Sequence, residues 1–389
     1  MISNDENQLT PNTMPGLEPS EPEKIKKIKK PWSKKKKGIV IGSIVGGLVL
    51  IGAAVAVWFL FFKSDPIIDI IEPEPEPVRF YSPLTGVETT EENTKLPVTA
   101  VIIENSPEAR PQSGIAGNNV VFEAVAEGGI TRFNVLFQED RLSLIGPVRS
   151  LRSYYLEWAT GFDSAQAHVG GSGDALSMIE SGAYAFNIDE WTQGFPIWRT
   201  NDRYAPHNAY TDAENLLKFE LQKGKTTSTF TSWERQDGSQ VKPPQNEELA
   251  EDEDPIVDIN TYANSINLPI STGIFAVSYE YNAETNSYDR YQGGVAHNDR
   301  EKGQVSPDVV IAMMVNQYTK SDGLHTEVTT NGSGTAYIFQ NGIVEKCIWR
   351  KSDAKTNIEF VNEEGMNIKL NRGQTWITAI GNARTPTWQ

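Results

Sequence analysis

The 389-residue chain has one cysteine, Cys347, and only four histidines. A single thiol excludes any intrachain disulfide, so the fold must rest on its apolar cores. Lying in a strand-like stretch, Cys347 reads as a small buried hydrophobe rather than a nucleophile. No His-x-x-x-His or paired-Cys spacing is present, so no metal is expected, and no cofactor either.

Positive charge is also scarce, with 35 Lys and Arg against 51 Asp and Glu and a net charge of −16. A duplex is held mainly by cations that neutralise phosphates, so no nucleic-acid partner is expected. The shortage is uneven. Residues 1–37 hold nine Lys against five acids, and the rest holds 26 basic residues against 46 acidic ones. An anionic ligand would therefore need a local cluster of Arg working against the overall field.

Charge is missing altogether from residues 38–62, a run of 25. About 20 apolar residues suffice to cross hydrocarbon as a helix. Lys24 to Lys37 flank the run on its N-terminal side, and basic residues beside a first span stay in the cytoplasm. The membrane is thus an expected partner, with the N-terminus inside and everything after Lys63 outside. A cleaved signal peptide is the rival reading, but its apolar core is 7–15 residues ending in small side chains, whereas this run ends Trp58-Phe-Leu-Phe-Phe62. Gly38, Gly42 and Gly46 recur every four residues, a smooth strip that suits self-association or simply reflects the frequency of Gly in such helices.

The expected organisation is a cytoplasmic, disordered, basic tail (1–37), a transmembrane helix (38–62) and a stiff Pro/Glu stalk (63–79). An α/β domain follows (80–225), with strands at 97–103, 119–126 and 130–137 and helices at 150–160 and 172–181. A polar, acidic linker or loop (226–254) leads to a mainly β domain (255–389), whose strand-like segments fall at 273–281, 309–315, 335–339, 344–349 and 375–380. The fold class is an α/β N-terminal extracellular domain plus a mainly β C-terminal domain, after one transmembrane helix.

The residues that could carry chemistry concentrate between Glu123 and Asn208. In an open α/β sheet, ligands bind beyond the carboxyl ends of the strands, and these segments fall there. Arg132, Arg149 and Arg152 supply guanidinium forks that match carboxylate or phosphate oxygens; Arg149 and Arg152, three apart at a predicted helix start, either share a face for an anion or pair with the protein's own acids. His168 precedes a glycine-rich turn with Ser172, which suits an anion nest or a plain tight turn. Ser172 fails the nucleophile-elbow pattern because Asp174 replaces its final Gly. Arg203, His207 and Asn208 complete the set, with His207 either orienting a neighbour or carrying a proton. Trp191 and Trp198 are flat surfaces for a sugar or lipid, or core.

Read in order, Tyr81-Ser-Pro-Leu-Thr-Gly86, Ala109-Arg-Pro-Gln-Ser-Gly114, Glu127-Gly-Gly-Ile-Thr-Arg-Phe133, Gly146-Pro-Val-Arg-Ser150, His168-Val-Gly-Gly-Ser172 and Ala205-Pro-His-Asn208 resemble the bacterial YerB-type lipoprotein family. The resemblance continues through Tyr288-Asp-Arg-Tyr291, Gly294-Val-Ala-His-Asn-Asp299, Gly332-Ser-Gly-Thr-Ala336 and Gly373-Gln-Thr-Trp-Ile377. It implies a two-part envelope domain of unknown function. A lipid-anchored member needs a Cys just after its signal segment, and Cys347 is the only one here, so the helix must replace the lipid. A looser similarity joins Arg149, Arg152 and the Gly-Gly turn to LytR-CpsA-Psr enzymes, without their acidic metal pattern.

Three readings follow. The first is an envelope protein binding an anionic or glycan wall component at Arg132, Arg149, Arg152, His168, Ser172, Arg203, His207 and Asn208. The second is a transferase on a lipid-linked glycopolymer, and the third a non-catalytic scaffold for other membrane proteins. Whether the chain is an enzyme is left open.

Overall fold

The computed structural model describes residues 34–61, 78–193, 196–241 and 262–389, with side chains from Gly42 onward except at 192 and 193. The expected tail before Lys34, the stalk as far as Pro77 and the most acidic part of the linker, from residue 242, lie outside the described residues. Helix α1 (Lys34–Phe61) belongs to one unit of the chain, and residues 77–389 form the other. The stretch Gly42–Phe61 is long and apolar enough, by length and composition, to cross a membrane.

Residues 77–389 are organised by a ten-stranded mixed sheet. The N-terminal part supplies β1 (Thr99–Glu104), β2 (Val120–Glu127), β3 (Ile130–Phe137), β4 (Ala165–His168) and β5 (Phe186–Asp189), with helices α2 (Ser153–Thr160), α3 (Gly173–Glu180) and α4 (Ala213–Gln222). The C-terminal part, mainly β, supplies in order β6 (Ser265–Leu268), β7 (Val277–Asn282), β8 (Ser287–Gln292), β9 (Val295–Ala296), β10 (Val309–Val315), β11 (Gln317–Thr319), β12 (Thr326–Val328), β13 (Gly332–Gln340), β14 (Ile343–Lys351), β15 (Glu359–Val361), β16 (Thr375–Gly381) and β17 (Thr387–Trp388). The strand order of the large sheet is β15-β14-β13-β10-β16-β2-β3-β1-β4-β5, so both parts of the chain build it. The junction is the parallel pairing of β16 with β2, which starts with Thr375 opposite Val120.

The central strands are apolar on both sides because both faces are covered. In β1 every residue is buried: Val101 and Ile103 face one core, Ala100 and Ile102 the other. The first core is closed by α4 and by a second sheet, β9-β8-β7-β6-β17, through Leu216, Phe219, Ile266, Tyr279 and Tyr288. The other is closed by α2 and α3 through Tyr154, Trp158, Ala175 and Ile179. Cys347 is buried in this second core, as a small hydrophobe would be, and burial pushes its thiol up to about 12.

Residues 226–241 follow the surface of this unit, and two aromatics from them are inserted. Phe230 and Trp233 pack on the second core, and Trp233 Nε1 donates to the carbonyl of Ile358 at 2.6 Å. Arg235 donates to the carbonyls of Leu84 and Asn371 and to Thr375 Oγ1.

Candidate functional site

Strands β1, β2, β4 and β5 point the same way, because β1 is parallel to β4, β4 to β5, and both β1 and β2 are antiparallel to β3. Their last residues, Glu104, Glu127, His168 and Asp189, therefore reach one edge of the sheet. This carboxyl edge is where loops in open α/β sheets gather polar groups. Two segments meet it: residues 145–152 run beside β1 and bridge to Gly171, and residues 198–210 return as a small hairpin.

Glu104 organises the exposed part of the edge. Its carboxylate is almost fully enclosed, yet it holds three neighbours. Ser106 Oγ donates to Oε1 at 2.8 Å, and Arg149 Nε lies 3.1 Å from the same oxygen as an ion pair rather than an aligned hydrogen bond. His207 Nδ1 donates to Oε2 at 3.0 Å. The side chains of Arg149 and His207 are 23% and 22% exposed, so a buried carboxylate presents two basic groups at the surface.

Arg132 and Arg152 form a separate, closed cluster around Glu127. Arg132 Nη2 reaches its carboxylate at 3.1 Å, Arg152 pairs with it as well, and Arg132 Nη1 donates to the carbonyl of Ser150. Burial lowers the pKa of both guanidinium groups, the mark of charges shut away from water. The β11–β12 hairpin lies over this cluster: His325 bridges to Glu127, and Lys320 pairs with Asp174 and Glu327. The expectation that Arg149 and Arg152 share a helical face differs from what the structure shows. Helix α2 begins only at Ser153, and Arg152 is extended with φ −127° and ψ 150°. In extended backbone, residues three apart point to opposite sides.

The remaining expected residues divide in the same way. His168 is fully buried, with Nδ1 on the carbonyl of Gly170 and Nε2 on Asn187 Oδ1, both at 2.8 Å. Ser172 is the half-buried residue that precedes α3. Arg203 is spent on the carbonyls of Ala109 and Pro111 and fixes the loop that carries His207. Asn208 Nδ2 donates to the carbonyl of Thr200, and its Oδ1 accepts from Arg199, whose fork is otherwise bidentate on Glu190.

Aromatic residues border this belt. Trp191 is 74% exposed and leans over Gly170, and with Trp198, Ile197, Glu190 and Arg199 it lines an open depression. Trp349, by contrast, is core, donating to the carbonyl of Met314. The groups missed at the sequence level are Glu104 and Ser106. Their signal was an acid closing an otherwise apolar strand, Thr99-Ala-Val-Ile-Ile-Glu104, at the edge where ligands bind.

Comparison with known proteins agrees with this two-part construction. Residues 84–227 match the family described as Protein of unknown function (DUF3048) N-terminal domain, and residues 266–377 match its C-terminal domain. YerB of Bacillus subtilis strain 168, provisionally designated a lipoprotein, is 32% identical over 301 residues, covering 77% of this chain and 86% of that protein. The crystal structure of YerB from Bacillus subtilis superposes with a TM-score of 0.66 at 29% identity, over 77% of this chain and 96% of that one. The chain belongs to the DUF3048 family, spans both its N- and C-terminal domains, and is a YerB relative that carries a long apolar helix near its N-terminus.

Proposed function

We propose that the chain is a single-pass envelope protein, with its N-terminus in the cytoplasm and residues 77–389 outside, that binds an anionic or glycan component of the cell wall at the carboxyl edge of its large sheet. The lysines before α1 and the acidic balance after it support this orientation. The provisional designation of YerB as a lipoprotein supports the envelope. The observation that carries the binding reading is the Glu104 carboxylate, which fixes Arg149 and His207 side by side at the surface.

The ligand meets Arg149 and His207 as polar partners and Trp191 as a flat apolar one, while Asn208, held by Thr200 and Arg199, braces the loop beside them. Arg132, Arg152 and His168 support the edge from beneath without touching it. An anion that enters must be recognised locally, because the protein around it is strongly acidic and contributes no general attraction. Co-sedimentation of the full chain, in detergent, with purified wall material tests the reading. Binding that falls at least tenfold in Arg149→Ala and in Trp191→Ala supports it, and binding unchanged in both removes it.

A further inference from the structure

We propose that the Glu104–His207–Arg149 group is a hydrolytic centre for a phosphoric diester; this deepens the binding reading above and rests on it. The first argument is the tautomer. With Nδ1–H donated to Glu104 at 3.0 Å, the neutral imidazole carries its lone pair on Nε2. That nitrogen has no partner among the described residues, and it is not among the buried polar atoms left without one, so it faces the solvent side of the edge. An outward Nε2 on an imidazole whose other nitrogen is fixed by an enclosed carboxylate is the arrangement a proton acceptor requires.

The second argument is charge. Arg149 spends its Nε on Glu104, while its two Nη groups have no partner among the described residues and are likewise not buried. They offer one fork, hence one compensating charge. The neighbouring guanidinium groups are already committed, Arg132 and Arg152 to Glu127 and Arg199 to Glu190. In a protein of net charge −16 one fork suits the single charge and paired non-bridging oxygens of a phosphodiester better than a doubly charged monoester; a carboxylate would fill the fork equally well, but only the diester offers the neighbouring His207 a bond to hydrolyse.

The step balances without a redox partner. A water oxygen forms a bond to phosphorus while the bond from phosphorus to the departing alcohol oxygen breaks. The water proton passes to His207 Nε2 and then to the departing oxygen, leaving a phosphomonoester and an alcohol. Arg149 holds the two non-bridging oxygens, and the Glu104 carboxylate stabilises the imidazolium between the two transfers. Ser106, which donates to Glu104, is a positioning residue.

The test is release of p-nitrophenolate from bis(p-nitrophenyl) phosphate by the full chain in detergent. Turnover is expected, with p-nitrophenyl phosphate the poorer substrate. His207→Ala lowers kcat by about 10²- to 10⁴-fold with unchanged thermal unfolding, and added imidazole restores part of it. Arg149→Ala acts mainly on KM. Lack of release by the native chain, or release that His207→Ala leaves unchanged, overturns the proposal. If wall material still binds in that case, the binding function stands alone; if it does not, both fall.

Discussion

The carboxylate of Glu123 lies 3.0 Å from the guanidinium of Arg290, and neither side chain has any exposed surface. The two come from the two family regions of the chain, Glu123 on β2 and Arg290 on β8, and meet between the large sheet and the five-stranded one. Every partner needed is present. Arg290 donates to both oxygens of Glu123, to Tyr279 Oη and to His297 Nδ1, and Trp376 Nε1 donates to Glu123. Burial, with Arg290 alongside, pushes the His297 pKa well below its ordinary range, so the ring is a neutral acceptor.

Removing one member strands a charge in the core, which costs about 3–5 kcal/mol. Arg290→Met should lower stability by that amount while leaving a single unfolding transition. Adding Glu123→Gln should recover part of the loss. Urea unfolding followed by tryptophan fluorescence measures both, and two separated transitions in the native protein would contradict this account of the junction.

The two arginines of the Gly146-Pro-Val-Arg-Ser-Leu-Arg152 segment should behave oppositely. Arg149→Ala takes one of three partners from the enclosed Glu104, which keeps Ser106 and His207, so it should cost no more than about 1–3 kcal/mol, yet it should abolish ligand retention. Arg152→Ala takes a buried partner from Glu127 and should cost about 1–3 kcal/mol, with binding intact at temperatures where the fold persists. Thermal shift and wall co-sedimentation of the two variants, run in parallel, decide between this assignment and its reverse.

Glu220 on α4 predicts a pH dependence. Burial raises its carboxyl to about 8, and Thr99 Oγ1 donates to it at 2.7 Å. Below about 4.5 both folded and unfolded states hold the proton and nothing is lost. Between there and about 8 only the folded state holds it, so stability declines as pH rises; above about 8 the loss is complete. Glu220→Gln, which keeps the acceptor for Thr99, should flatten this decline and melt higher than the native protein at pH 8. A variant that tracks the native curve across pH 5–8 would show that Glu220 is ionised.

Cys347 should be silent towards thiol reagents. Its thiol is buried in β14 and held near 12, so the thiolate that reacts is absent at neutral pH. Ellman's reagent should label the native chain hardly at all over an hour and one equivalent in urea. Rapid labelling without urea would mean that β14 opens.

Much of the fold was legible because local patterns dictate local structure. Ile130–Phe137 and Val309–Val315 form strands over the expected residues, and the uncharged run as far as Phe61 lies in α1, which begins at Lys34. The joining of both parts into one sheet was not legible, since the pairing of Thr375 with Val120 is set by tertiary packing and leaves no periodic trace in either segment. The candidate site was legible as a collection of residue types and less so in which of them reach the surface. Arg132, Arg152 and His168 carry the same charges and donors as Arg149 and His207, and only their burial separates the supporting group from the one that reaches the surface. The spacing of Arg149 and Arg152 misled because it was read with a helical period in a segment that is extended.

The placement of β16 bears on the order in which the molecule can be completed. It is the last of the ten strands to be synthesised, yet it lies between β10 and β2, paired in parallel with both. Until residue 381 is available, the two halves of the sheet have no strand between them and each exposes an apolar central edge. Folding of this unit is therefore gated by the last strand of its large sheet to be made. A chain stopped short of β16 would yield two open half-sheets prone to pairing with other molecules, rather than a smaller version of the same protein.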